Sequence, residues 1–167
     1  MRTKKLAALA MLTAMSLVIF MVEAQLPPLA PIPGIKLGLA NIVTLITMAK
    51  LGRKDAFLVL MLRILLGSVF AGQTMSLMYS LAGGVLCFCM MAILIGSKLP
   101  VWVVSVFGAT AHNIGQVAVA VAVTRLEQIT VFLPLLLVSA IVTGAFTGCI
   151  AAAIIKSKNI WRGIDES

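Results

Sequence analysis

The chain has 167 residues, 62% of them hydrophobic and 11% charged, too few polar groups to cover a globule of this size in water. Its net charge of +8 lies in small clusters at the ends of apolar runs, without the aromatic interleaving or basic helix face of a nucleic-acid binder. These totals exclude a soluble enzyme and predict an all-α, polytopic integral membrane protein. The whole chain, 1–167, reads as a single transmembrane domain of about six helices, because a crossing takes roughly 20 apolar residues.

The first helix is predicted over 6–24. Arg2, Lys4 and Lys5 precede an uncharged run from Leu6 to Val22, and Val22-Glu23-Ala24 has the small-x-small form of a signal peptidase site. That run is longer than the apolar stretch of an ordinary signal peptide and further spans follow it, so retention as a helix is expected over cleavage. Gln25 to Gly34 carries Pro27, Pro28, Pro31 and Pro33 and reads as a stiff loop. A second, short span follows over 37–51, then a basic turn with Lys50, Arg53 and Lys54, then a third span over 56–71 interrupted by Arg63. Ile64 to Ser97 holds 34 residues without a formal charge, too many for one crossing. Gly72-Gln73 is the natural break, which places a fourth helix over 74–96. A fifth is predicted over 101–123, a polar turn at Arg125-Leu126-Glu127, and a long, tilted sixth over 129–155.

Lysines and arginines orient such a chain, because short translocated loops exclude positive charge. With both termini cytoplasmic, that side holds Arg2, Lys4, Lys5, Lys50, Arg53, Lys54, Lys98, Lys156, Lys158 and Arg162, against Lys36 and Arg125 outside. The expected location is a cell membrane, with lipid as the surrounding partner.

Polar side chains inside the bilayer are costly and mark candidate sites. Arg63, effectively always charged, should face the bundle interior. Glu23, Asp55 and Glu127 read as lying near interfaces, which leaves Arg63 without an acid at its depth and inviting an anionic ligand. The alternative is that it snorkels or bonds helix-end carbonyls. His112, Asn113 and Gln116 lie together in the fifth span, with His112 and Gln116 on one face; they are either a ligand-binding edge or a hydrogen-bonded tie between helices. Lys36 and Asn41 beside the proline loop, with Gln73 and Tyr79 near the next outer turn, are candidates for the mouth of an outward-opening pocket or for interface anchors. Ala10 and Ala14, Gly34 and Gly38, and Gly144 and Gly148 are spaced for close helix approach, within the bundle or to a partner. Cys87, Cys89 and Cys149 lie inside apolar runs as small hydrophobes, and no metal or cofactor is expected. The chain has no phosphate-cradling Gly-x4-Gly-Lys loop, no aspartate-rich pair of magnesium motifs and no arrangement of nucleophile and base, so catalysis is not expected.

Four motifs carry a family resemblance. Pro33-Gly34-Ile35-Lys36-Leu37-Gly38-Leu39-Ala40-Asn41, Arg63-Ile64-Leu65-Leu66-Gly67-Ser68, Ser80-Leu81-Ala82-Gly83-Gly84 and His112-Asn113-Ile114-Gly115-Gln116 resemble, in order and over nearly the whole chain, the Gx transporter family, often labelled heptaprenyl diphosphate synthase component I. The resemblance implies kinship with the substrate-binding S components of energy-coupling factor transporters, six-helix proteins that capture vitamins and related small molecules. In those, an Ala-x-x-x-Ala face on the first helix docks on a transmembrane coupling subunit while separate ATPases drive transport. Ala10 and Ala14 match that pattern. The proline loop would then act as a lid, with Arg63, His112, Asn113 and Gln116 approaching a pocket. Family members also occur with quinone biosynthesis and flavin-based extracellular electron transfer. This implies a quinone or prenyl precursor as ligand, or redox and quinone-pathway membrane proteins as partners of a subunit that moves no solute. The synthase label fits poorly with a chain of five acids.

Overall fold

The computed structural model describes residues 2–26, 36–71 and 74–157. They form six helices: α1 (Arg2–Glu23), α2 (Asn41–Lys50), α3 (Arg53–Ala71), α4 (Thr74–Leu94), α5 (Val101–Thr124) and α6 (Leu133–Lys156), with a 3-10 turn at Glu127–Phe132 leading into α6. Among these residues α1, α4, α5 and the continuous stretch Glu127–Lys156 are long and apolar enough to cross a membrane. The chain is therefore a membrane protein, and four of the six expected crossings meet the requirement on length and composition. At ten residues α2 is only about 15 Å long, and α3 carries Arg53, Lys54, Asp55 and Arg63.

The short α2 is the hub. Seven of its ten residues are buried, from Asn41 through Met48 on every side, as expected of a helix apolar almost all round. It packs on each of the other five helices. Helix α1 lays Leu9, Thr13, Ser16, Phe20 and Glu23 inward, a spacing of three and four that makes one face. Its opposite face leaves Met11, Met15, Val18 and Val22 exposed. Helix α3 repeats the arrangement, with Ala56, Val59, Leu60, Arg63, Ile64 and Gly67 inward and leucines outward. Lys5 and Asp55 join the starts of α1 and α3 at 2.8 Å.

The other half is held by close backbone approach. A Cβ at Gly148 would stand 2.5 Å from the Cα of Trp102, and one at Gly144 would stand 2.8 Å from the Cα of Val106, so α6 rests directly on the α5 backbone. Gly115 does the same for α5 against α4, on the Ala82 carbonyl, and Gly108 makes room there for the Met91 side chain. The Gly144 and Gly148 pair thus serves packing within the bundle, while Ala10 and Ala14 are exposed on α1.

Helix α1 begins at Arg2, four residues before the expected start, and three other boundaries differ from expectation for local reasons. Residues 37–40 precede α2 as a turn, because Gly38 sits at φ +80, in the left-handed region that favours glycine. Helix α3 begins at Arg53, right after Gly52. Helix α6 begins at Leu133 rather than 129, since Pro134 lies in its first turn, where a missing N–H costs nothing.

Candidate functional site

The amino end of α2 is where polar side chains from α1, α3, α4 and α5 converge. A cleft of about 220 Å³, part of it open to the outside, is lined by Phe20, Glu23, Lys36, Gly38, Arg63, Ser80, His112 and Gln116. The side chains close in until the space between them holds about one water.

Arg63 is only 3% exposed, so it neither snorkels nor meets headgroups. Its Nη2 donates to Asn41 Oδ1 at 3.1 Å, while its Nε and Asn41 Nδ2 are buried without a partner among the described residues. The expectation that no acid lies at its depth is corrected here. Glu23 is 4% exposed, its Oε1 accepts from the Gly38 N–H, and its charge acts on both Arg63 and Lys36. Glu23 reads as interfacial in the sequence because it ends a helix; the 36–40 turn, folding back over that end, is what buries it.

Lys36 holds this turn to three neighbours. Its backbone N–H donates to Gln116 Oε1 at 3.0 Å, its Nζ donates to Ser76 Oγ at 3.3 Å, and its ammonium lies 3.5 Å from the centre of the Phe20 ring. Burial lowers the Lys36 pKa to about 8; the Glu23 carboxylate opposes that shift and Arg63 reinforces it. Because Gln116 Oε1 accepts from Lys36, its Nε2 is the donor toward His112 Nε2, 2.8 Å away. That assignment puts the imidazole proton on Nδ1, beside Gly83. Gly38 and Gly83 flank the ring so closely that a Cβ on either would stand 2.7 Å from it.

The expected site residues divide. Arg63, His112, Gln116, Lys36 and Asn41 come together. Asn113 turns away and donates to the Leu136 carbonyl at 2.6 Å, joining α5 to α6. Tyr79 is packed among Val117, Ala120, Ile129 and Leu136 rather than at the cleft. Gln73 and most of the proline loop, 27–35, lie outside the described residues. Phe20, Glu23, Gly38, Ser76 and Ser80 belong to the site as well. The Ser80 and Gly38 motifs carry part of that signal; Phe20 and Glu23 emerge only from the packing of α1.

Chemically, two cations and one carboxylate around a helix amino terminus make a site for an anion or a carbonyl-bearing group. No curated protein and no solved structure matches the chain. A family model matches residues 12–154, which include Arg63, His112, Gln116, Lys36 and Glu23, and the chain belongs to the family that it describes, heptaprenyl diphosphate synthase component I.

Proposed function

We propose that the chain is a multi-pass, six-crossing protein of the cell membrane, both termini cytoplasmic, that captures a small, partly apolar, anionic molecule. In this reading it resembles an S component of an energy-coupling factor transporter, energised by partner subunits, and it is not a catalyst. The observation that carries the reading is Arg63, a buried guanidinium with an unmet Nε, lining a cleft beside Lys36. Desolvating two cations costs several kilocalories per mole, and one carboxylate offsets only part of that. A ligand supplying the missing acceptors gives the arrangement a purpose.

Six crossings are supported by the outward face of α3. Phe57, Leu58, Leu62, Leu65, Leu66 and Val69 are exposed and apolar, while the charges other than Arg63 sit in its first turn. Helix α2, enclosed by its neighbours, crosses with the help of the segment that precedes it. The exposed Ala10 and Ala14 are the docking face for a transmembrane coupling subunit. As for the family's synthase description, prenyl transfer requires paired acidic groups holding magnesium, and Glu23 is the one acid among the described residues of the cleft lining.

A second reading is favoured by how little room the cleft leaves. A polar network closed to about one water also suits a non-transporting membrane subunit of a quinone-biosynthesis or electron-transfer assembly. Native mass spectrometry after gentle purification, joined to affinity capture, separates the two. Solute capture predicts a specific bound ligand that Arg63→Ala loses, and co-purifying ATPases that Ala10→Leu with Ala14→Leu loses. An empty protein that brings down a flavoprotein or a prenyltransferase would replace it with the anchoring role.

A further inference from the structure

The anion already present in the cleft is the protein's own. The Glu23 carboxylate accepts from the Gly38 N–H, the Ala40 N–H is turned toward it, and Arg63 and Lys36 are the two cations acting on it. Backbone N–H groups at the amino end of a helix favour negative charge, and Glu23 is set against two such groups. With all three groups ionised, two cations against one carboxylate leave a single net positive charge. The imidazole of His112 adds none, since its Nε2 is held as an acceptor by Gln116. What the site lacks is also one-sided. Arg63 Nε and Asn41 Nδ2 are both donors, both buried, and both without an acceptor among the described residues.

We infer that Glu23 is a specificity-determining residue that restricts the cleft to ligands with one negative charge, a monocarboxylate with an apolar tail rather than a phosphomonoester or a diphosphate. This rests on the reading of the cleft as a ligand site. A single carboxylate supplies oxygens to the unmet donors of Arg63 and Asn41 and brings the net charge to zero. A second negative charge would face Glu23 with no cation left to balance it, in surroundings where water does little to screen the repulsion. Accepting a dianion would require Glu23 to take up a proton or to leave the Gly38 N–H, and each costs an interaction the empty protein possesses.

The test compares hexanoate with hexyl phosphate, which share a tail and differ in carrying one charge against nearly two at about pH 7.5. Binding is measured by calorimetry on the full chain in lipid nanodiscs. The wild type is expected to bind hexanoate at least about tenfold more tightly. Glu23→Gln should narrow or reverse that preference by about tenfold, and Glu23→Asp should keep it. Hexyl phosphate binding to the wild type as well as hexanoate does, or an unchanged preference in Glu23→Gln, would overturn the inference while leaving a ligand site. Binding of neither compound would overturn both. If Glu23→Gln does not fold, Lys36→Gln brings the net charge of the cleft to zero and should abolish hexanoate binding; hexanoate binding that survives it counts against the inference.

Discussion

At its amino end α2 meets Arg63, His112 and the Glu23 carboxylate, whereas its carboxyl end is sunk among Cys87, Met91, Val104 and Ala151, with Leu45, Ile46 and Met48 its own contribution. One ten-residue helix thus joins a polar cleft to an apolar floor. The difference is informative because Asn41 at one end and Met48 toward the other are both buried. The floor is stabilised by close van der Waals packing, and its parts are interchangeable to the extent that volume is conserved. The cleft depends on opposed charges, where removing one group leaves another uncompensated. The apolar floor begins at Leu45, about 6 Å along the helix from Asn41, and passage of a solute through the molecule would need that floor to rearrange.

Breaking the cleft should cost most. Arg63→Met leaves Glu23 buried without its principal cation and is expected to lower stability by about 3–5 kcal/mol, read by denaturant unfolding in detergent. Adding Glu23→Gln should restore much of the loss, and a double variant as unstable as the single one would contradict the pairing. On the floor, Leu45→Ala removes a side chain that is 1% exposed and should cost about 2–5 kcal/mol through the cavity left behind. Hexanoate affinity, once corrected for unfolded protein, should not change; if it does, the two ends are coupled rather than separate.

The smallest effect is the sharpest. Burial brings the Lys36 pKa down from its ordinary 10.5 to about 8. Between those values the unfolded chain holds more protons, so this group makes stability rise with pH from about 8 toward 10.5. Anion binding should move oppositely, weakening severalfold as Lys36 loses its charge above pH 8. A titration of hexanoate affinity across that range, repeated with Lys36→Arg, checks this: the arginine variant should stay flat.

Much of this architecture can be read from the residues in order, and the exceptions have definite causes. Apolar length and positive flanks find α1, α4 and α5 to within a few residues, because burial in lipid makes composition decisive. The site emerges as far as its members break that composition: Arg63, His112, Gln116, Lys36 and Asn41 are polar where polarity is costly. Asn113 and Tyr79 break the same rule yet serve the joints of α5 with its neighbours, since an amide or a phenol satisfies a helix contact as readily as a ligand. Glu23 is hidden for the converse reason. Its depth is set by the turn around Gly38, a tertiary event with no periodic signature.

The glycine-mediated seating of α6 on α5 has a practical consequence for watching the protein at work. Backbones in direct contact at Gly144 and Gly148 have no side-chain layer between them to re-sort, so sliding there is resisted by hard-core repulsion. Cys149, exposed on α6 next to Gly148, is consequently a native thiol on a stationary frame. With Cys89, the other exposed thiol, replaced by serine, a spin label or fluorophore on Cys149 paired with one introduced on α1 would register displacement of α1 relative to the α5–α6 frame, a built-in fiducial for distance measurements.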